Sequence, residues 1–419
     1  MSSTHIRSVG IAAESGYGSL DANNEPDASG LTFYGLEVER ATLVPFGEQA
    51  ANERVESRDG PHVLPPEPDT VIGVSGYALR RRGGTIQLTC SLRTGAADYS
   101  VTALGLLLNS SMHTPAMPGG DDDTPSIAVS ANRFTPTTVG DYGIGHLIKV
   151  TQAGVTEYSA VADVTTDIFH SPSFSAGVDG SDLVRMMQTY CVKKDFGGLG
   201  SSLALRLDGT ASRTYAVGCR VESIGIQLTG RRVQLVFSIQ SPFIYDDHAS
   251  ASVSEPTRLA GQVAHMSGSR VTISDTTVGV SAPAAQTAVD VDVSDFSATL
   301  TFSLAPQGGN SRSPVGQSGL EVSDFSVEVN LTLSAPSATY ADDFQRQITR
   351  SLMVGFGPNG VDNGACLYIP SAVQMLDPSV YDLGADTVRM PLKYGAGRWA
   401  GDDSTTAPAG TVCRLGLGR

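Results

Sequence analysis

The sequence predicts a mainly β protein, built of antiparallel sandwich or barrel modules, two to the chain, with one or two short packing helices. Three observations predict it. The stretch VSDFSATLTFSLAP from Val293 is answered 29 residues later by VSDFSVEVNLTLSAP from Val322. VESIGIQL from Val221 repeats the spacing of Val322, Phe325, Val327 and Val329 with Val221, Ile224, Ile226 and Leu228. Long helical periods are scarce, and Gly- and Pro-marked turns separate short apolar/polar alternations.

The VSDFS stretches justify the first strands. After Phe296 the apolar residues fall at Ala298, Leu300, Phe302 and Leu304, with Ser297, Thr299, Thr301 and Ser303 between them. In the second copy Phe325, Val327, Val329, Leu331 and Leu333 alternate with Ser326, Glu328, Asn330, Thr332 and Ser334. This is the pattern of half-buried antiparallel strands with one wet face. The step of three from Val293 to Phe296 breaks the period of two, which predicts a bulge at Ser294 and Asp295. All three copies share the break.

Along the chain, residues 1–70 read as an acidic N-terminal arm and first strands, with a strand in GLTFYGLEVERATLV. Residues 71–250 read as a first β module and 251–419 as a second. Strands are expected at TIQLTCSL from Thr85, LALRL from Leu203 and RVQLVFSI from Arg232. The stretch Asn109–Pro136, with MPGGDDDTP, reads as a long exposed loop at 109–136. Two helices are expected. SDLVRMMQTYC offers Ser181 as N-cap, and TYADDFQRQITRSL offers Thr339 as cap with Asp342 and Asp343 in the first turn.

At 419 residues the chain is long enough for two or three cores, and it contains no apolar run of membrane-spanning length. The opening MSSTHIRSVGIAAESGYG lacks the apolar stretch and cleavage pattern of an export leader, so synthesis in a cytoplasm is expected. Five cysteines, widely spaced and without a CxxC, predict free buried thiols. With 28 Lys and Arg against 43 Asp and Glu, the net charge is −15, which argues against a groove that grips nucleic acid. Residues 1–70 hold 12 acidic residues and 4 arginines, more than half of that net charge. This is either a solvated arm or a negative surface that keeps another polyanion from sticking.

No catalytic, metal or cofactor set emerges. GFGPNG at Gly355–Gly360 matches a dinucleotide fingerprint by letter, but Pro358 and Asn359 make a turn and no helix follows to hold a pyrophosphate. A hairpin turn is the expectation. The acids of DDD at Asp121–Asp123 and YDDH at Tyr245–His248 lack the ligand spacing of calcium or zinc sites and read as exposed loops. Histidines are scattered singly, and no GxSxG elbow is present. The one basic cluster, Arg80, Arg81 and Arg82, reads as a solvated edge guard or as a subunit contact with an acidic neighbour.

On particular stretches the chain resembles the tail tube proteins, or major tail proteins, of long-tailed bacteriophages. GIAAESGYGSLDANNEP resembles their start, with Glu14, Tyr17, Gly18 and Ser19 at the matching positions. GCRVESIGIQLTGRRVQLVFSIQSPF resembles their paired long strands, and VSDFSVEVNLTLSAPSATYADDFQRQI followed by GACLYIPSAV resembles the closing part, a strand, a short helix and a strand ending at Pro370. The patches cover about a third of the chain. The 109–136 stretch and the segment after Trp399 depart from the family's short forms.

The resemblance implies a structural, non-enzymatic virion protein without cofactor or metal. Its partners would be further copies of itself, in rings of six, or of three if one chain carries two modules. The rings would stack into a tube whose acidic lining lets DNA pass during ejection without specific binding. Tape measure and terminator proteins would be further partners, with assembly in the host cytoplasm and no membrane involved. AAESGYGSLDANNEPDASG is too polar and glycine-rich to build a core of its own, so the N-terminal arm through Glu14, Tyr17 and Gly18 is expected to serve polymerisation more than folding. Two other readings fit the residues: another virion component, such as a head-decoration or baseplate protein, and a β-sandwich carbohydrate-active enzyme or binding module. A single tryptophan, Trp399, speaks against an aromatic sugar platform.

Overall fold

The computed structural model of the chain describes residues 8–18, 27–45, 54–57, 60–63, 83–117, 122–123, 125, 127–152, 154–192, 199–209, 213–247, 257–258, 261–275, 289–307, 319–335, 337–357, 364–377, 389–396 and 411–419. The principal strands are β1 (Ser8–Ala13), β2 (Tyr34–Leu36), β3 (Arg40–Pro45) and β4 (Gly84–Ser91), followed by helix α1 (Ala103–Ser111). Next come β5 (Leu147–Gln152), β6 (Val155–Val164), β7 (Gln188–Val192), β8 (Leu203–Asp208), β9 (Arg213–Thr229) and β10 (Arg232–Ser241). They are followed by β11 (Phe243–Asp247), β12 (His265–Asp275), β13 (Val293–Gln307) and β14 (Gly319–Leu333). Helix α2 (Ala338–Arg346) then leads to β15 (Thr349–Gly357), β16 (Ala365–Gln374), β17 (Met390–Ala396) and β18 (Cys413–Leu417).

The expected antiparallel sandwich is what these strands build. One sheet runs β3-β4-β10-β9-β13-β14-β17. It turns into a second sheet, β16-β15-β12, through β17–β16, and returns to β10 through the pair Arg232 and His265. β18 and β7 extend the second sheet from β16. β17 and β18 lie end to end along the same edge of β16, at Ala372–Gln374 and Ala365–Tyr368. Joining two sheets at both sides leaves few open edges. Phe296 of β13 and Phe356 of β15 meet between the sheets with ring centroids 5.4 Å apart.

The three similar stretches are neighbours: VESIGIQL lies in β9, which pairs with β13, which pairs with β14. The expected bulge occurs in each, at the second residue of the motif. The β9–β10 register skips Glu222, and the β13–β14 register skips Ser294 at one end and Ser323 at the other. Asp295 and Asp324 each accept the next residue's backbone N–H, at 2.9 Å to Phe296 and 2.9 Å to Phe325. After the bulge the period of two resumes, and Phe296, Ala298, Leu300, Phe302, Val329, Leu331 and Leu333 are buried. The likeness is thus that of adjacent staves in one sheet, and the repeat by itself does not mark a second module. The largest core cluster likewise takes residues from both sides of residue 250.

Between α1 and β7 lies a smaller seven-stranded antiparallel sheet. Its centre is β5 and β6, and its own core includes Phe134, Ile148, Val150, Val161 and Phe174. The long loop expected at 109–136 is therefore corrected: Asn109–Ser111 end α1, and Asp122–Asp123, Ile127–Ser130 and Arg133–Thr135 are strands of this sheet. These strands are too short to show a period. α1 is buried nearly all round and has no amphipathic signature; its start is fixed by Thr102, whose hydroxyl accepts the Gly105 N–H at 3.1 Å.

The helix expected at SDLVRMMQTYC is also corrected. Leu183–Met186 pairs with β5, and Gln188–Val192 is β7, paired with β18. Partner strands on both sides outweigh local preference, and Ser181 donates to Asp179 instead of capping a helix. The second expected helix forms as α2, two residues earlier than expected, with Ser337 instead of Thr339 in the N-cap position. It stops at Gln347, whose φ is 54°. Asp343, buried on α2, holds Arg350 in a two-pronged pair at 2.7 and 2.8 Å.

GFGPNG is resolved by its neighbours. Gly355 lies in β15 under the ring of Tyr158 on β6: a Cβ there would lie 2.3 Å from the ring. Gly364, at φ +115°, receives the Tyr158 hydroxyl end, and that hydroxyl donates to the Phe356 carbonyl at 3.0 Å. The strands β15 and β16 on either side pair antiparallel, and Gly355 and Gly364 seat a side chain of the smaller sheet. Residues 358–363 lie outside the described residues.

Leu331→Asp should abolish folding, since a fully buried site loses roughly 1.5–3 kcal/mol of burial and gains an unpaired charge. Phe325→Asp, at a half-buried position, should be milder, and Glu328→Gln on the wet face milder still; thermal unfolding of the three variants orders them. Gly355→Ala should lower stability by about 1–3 kcal/mol through overpacking against Tyr158. Truncating Tyr158 to Ala in the same chain should remove that clash, which a double-mutant cycle reads directly.

Candidate assembly site: the N-terminal strap and the polar sheet face

β1 is an interior strand, paired with β8 on one side and β2 on the other. Val9 and Ile11 are fully buried. The arm, read from the sequence as too polar to contribute to a core, thus supplies in residues 8–13 a buried strand of the subunit. SVGIAA alternates its large apolar residues at period two, a short signal overshadowed by the polar, glycine-rich text after it.

Beyond β1 the chain turns back at Glu14, Tyr17 and Gly18, and the structure brings these three together. Glu14 is 3% exposed. Its carboxylate accepts the Ser202 hydroxyl at 2.6 Å, the Gly218 N–H at 3.1 Å and the Gly18 N–H at 3.3 Å, while its own N–H donates to the Ser202 carbonyl at 3.0 Å. A buried carboxylate is tolerable because several donors surround it. Gly18 has φ +84°, the left-handed turn that returns its N–H to Glu14.

Gly218 is the joint of β9. Its φ is +66°, and there the β8 ladder shifts, from Ala216 to Cys219. A Cβ on Gly218 would lie 2.9 Å from Pro242 and 3.1 Å from the Tyr17 ring. Before the joint β9 pairs with β8 and β11, and after it with β10 and β13. Tyr17 packs against a buried cluster that includes Tyr215, Val217 and Phe243. Burial, then Cys219 and Glu14, push its phenol above the usual range. Glu14 is thus buried within the subunit and Tyr17 is half-buried against it. Ser19 and Arg80, Arg81 and Arg82 lie outside the described residues.

A second surface was not foreseen as a unit. In-register pairs line up Thr42, Gln87, Ser238, Ser223, Thr301 and Ser326 across six strands, from β3 to β14. A parallel row carries Ser91, Gln234, Gln227, Ser297, Asn330 and Lys393 from β4 to β17. The row between holds Arg40, Thr89, Val236, Gly225, Thr299 and Glu328. All three rows point away from the core. They contain no aromatic side chain, and Glu328 is neutralised by Lys393 at 2.6 Å. Each strand's hydroxyl-rich face was legible singly, but its continuation into a sheet-wide surface required the strand order.

Among the described residues no group of three or more His, Cys, Asp or Glu could hold a metal ion. Asp122 and Asp123 lie in a strand paired with Leu183–Met186, and Asp246 and Asp247 in β11; Asp121 and His248 lie outside the described residues. All five cysteines are free and buried, and burial pushes the thiols of Cys90 and Cys413 up to about 12. Ser159 and His170 lie 3.1 Å apart but are sealed in the smaller sheet's core. Burial holds His170 down to about 3. No protein-family model matches the chain, and no curated protein matches it significantly.

Deleting residues 1–13 should unfold the subunit or lower its melting temperature sharply, because an interior strand is lost. Glu14→Ala, which strands three donors, should cost roughly 2–4 kcal/mol in denaturant unfolding. Acid should weaken the fold through its buried histidines. Burial, with Arg414 nearby, holds His146 down to about 4, and His170 lies lower still, against 6.5 for the free side chain. Between these values the unfolded chain binds protons that the fold does not, so stability is full above about pH 6.5 and falls as pH drops toward 4 and below. Replacing His146 or His170 with an uncharged residue should flatten that fall in melting temperature between pH 6.5 and 4.

Proposed function

We propose that the chain is the structural subunit of a bacteriophage tail tube, polymerising into stacked rings that enclose a conduit for DNA. The observation that carries this reading is the polar sheet face, together with the resemblance of the N-terminal, paired-strand and closing segments. The face is mostly hydroxyls and amides, with Lys393 paired to Glu328 and Arg40 at one end, and offers no array of cations for phosphates to bind. On a chain of net charge −15 it would let a polyanion slide past without release steps. The absence of aromatic rings from the three rows favours this over a sugar-binding platform.

The partners under this reading are further copies of the chain, in rings of six or of three if one chain carries two modules, with tape measure and terminator proteins as further partners. The site of action is the virion tail after assembly in the host cytoplasm. Among the described residues no helix is long and apolar enough to cross a membrane.

Negative-stain microscopy of the concentrated protein should show rings or hollow tubes. Compact monomers across a wide concentration range, with no rings in virions that contain the protein, would overturn the reading. A decorated capsid surface or a baseplate location under antibody labelling would move it to another virion component.

A further inference from the structure

We draw no further inference here: the strongest candidate, the outer edge of β3, where Val44 is 54% exposed and Ala41 and Leu43 are half covered at the rim of the main sheet, carries nothing because nothing in the structure shows what covers it.

Discussion

The period of two in β9, β13 and β14, kept in phase by three matching bulges, is the constraint on which the rest of the fold depends. Side chains of a strand alternate between faces, so a slip of one residue would exchange the core set for the wet set along a whole strand. Here three neighbouring strands must agree. Glu222, Ser294 and Ser323 each absorb one extra residue at the same place in the motif. Beyond them Ile224, Ile226, Leu300, Phe302, Val329 and Leu331 point to one side together. The same phase presents Ser223, Thr301 and Ser326 on the other side, so the core and the polar face are two consequences of one register.

The second determinant is the joint at Gly218. Along this 17-residue strand the partners change from β8 and β11 to β10 and β13, and a left-handed glycine stands at the change. The change leaves a backbone N–H without a ladder partner, and the Glu14 carboxylate meets it at 3.1 Å. The strap at residues 14–18 is thereby tied to β1, β8 and β9 at one point. This is why a segment that looks like a loose polar arm is part of the subunit's framework.

Strands with five or more alternating residues were legible in the sequence, as β4, β10, β13 and β14 show, and so was the bulge, because it breaks a long period. Features decided by distant partners were not. SDLVRMMQTYC carries helical spacing, yet strands on both sides claim it. Asn109–Pro136 looks like loop because its strands are two to four residues long and acquire a face only within the smaller sheet. Glu14 and Tyr17 were singled out as residues that matter, but their burial depends on Ser202 and Gly218, nearly 200 positions away. That Gly355 makes room for Tyr158 was not readable either, since nothing local links the two.

The functional account rests on the polar face being the working surface, enclosed when subunits join. Thr299 is exposed at the middle of that face, and all five native cysteines are buried, so Thr299→Cys provides a single accessible thiol. The direct measurement is labelling of that thiol, in free subunits and in assembled particles, with a small maleimide and with one too bulky to enter a tube. The account predicts that both reagents label the free subunit and that only the small one labels the particle. Equal labelling of the particle by the bulky reagent would put the face on the outside and contradict it.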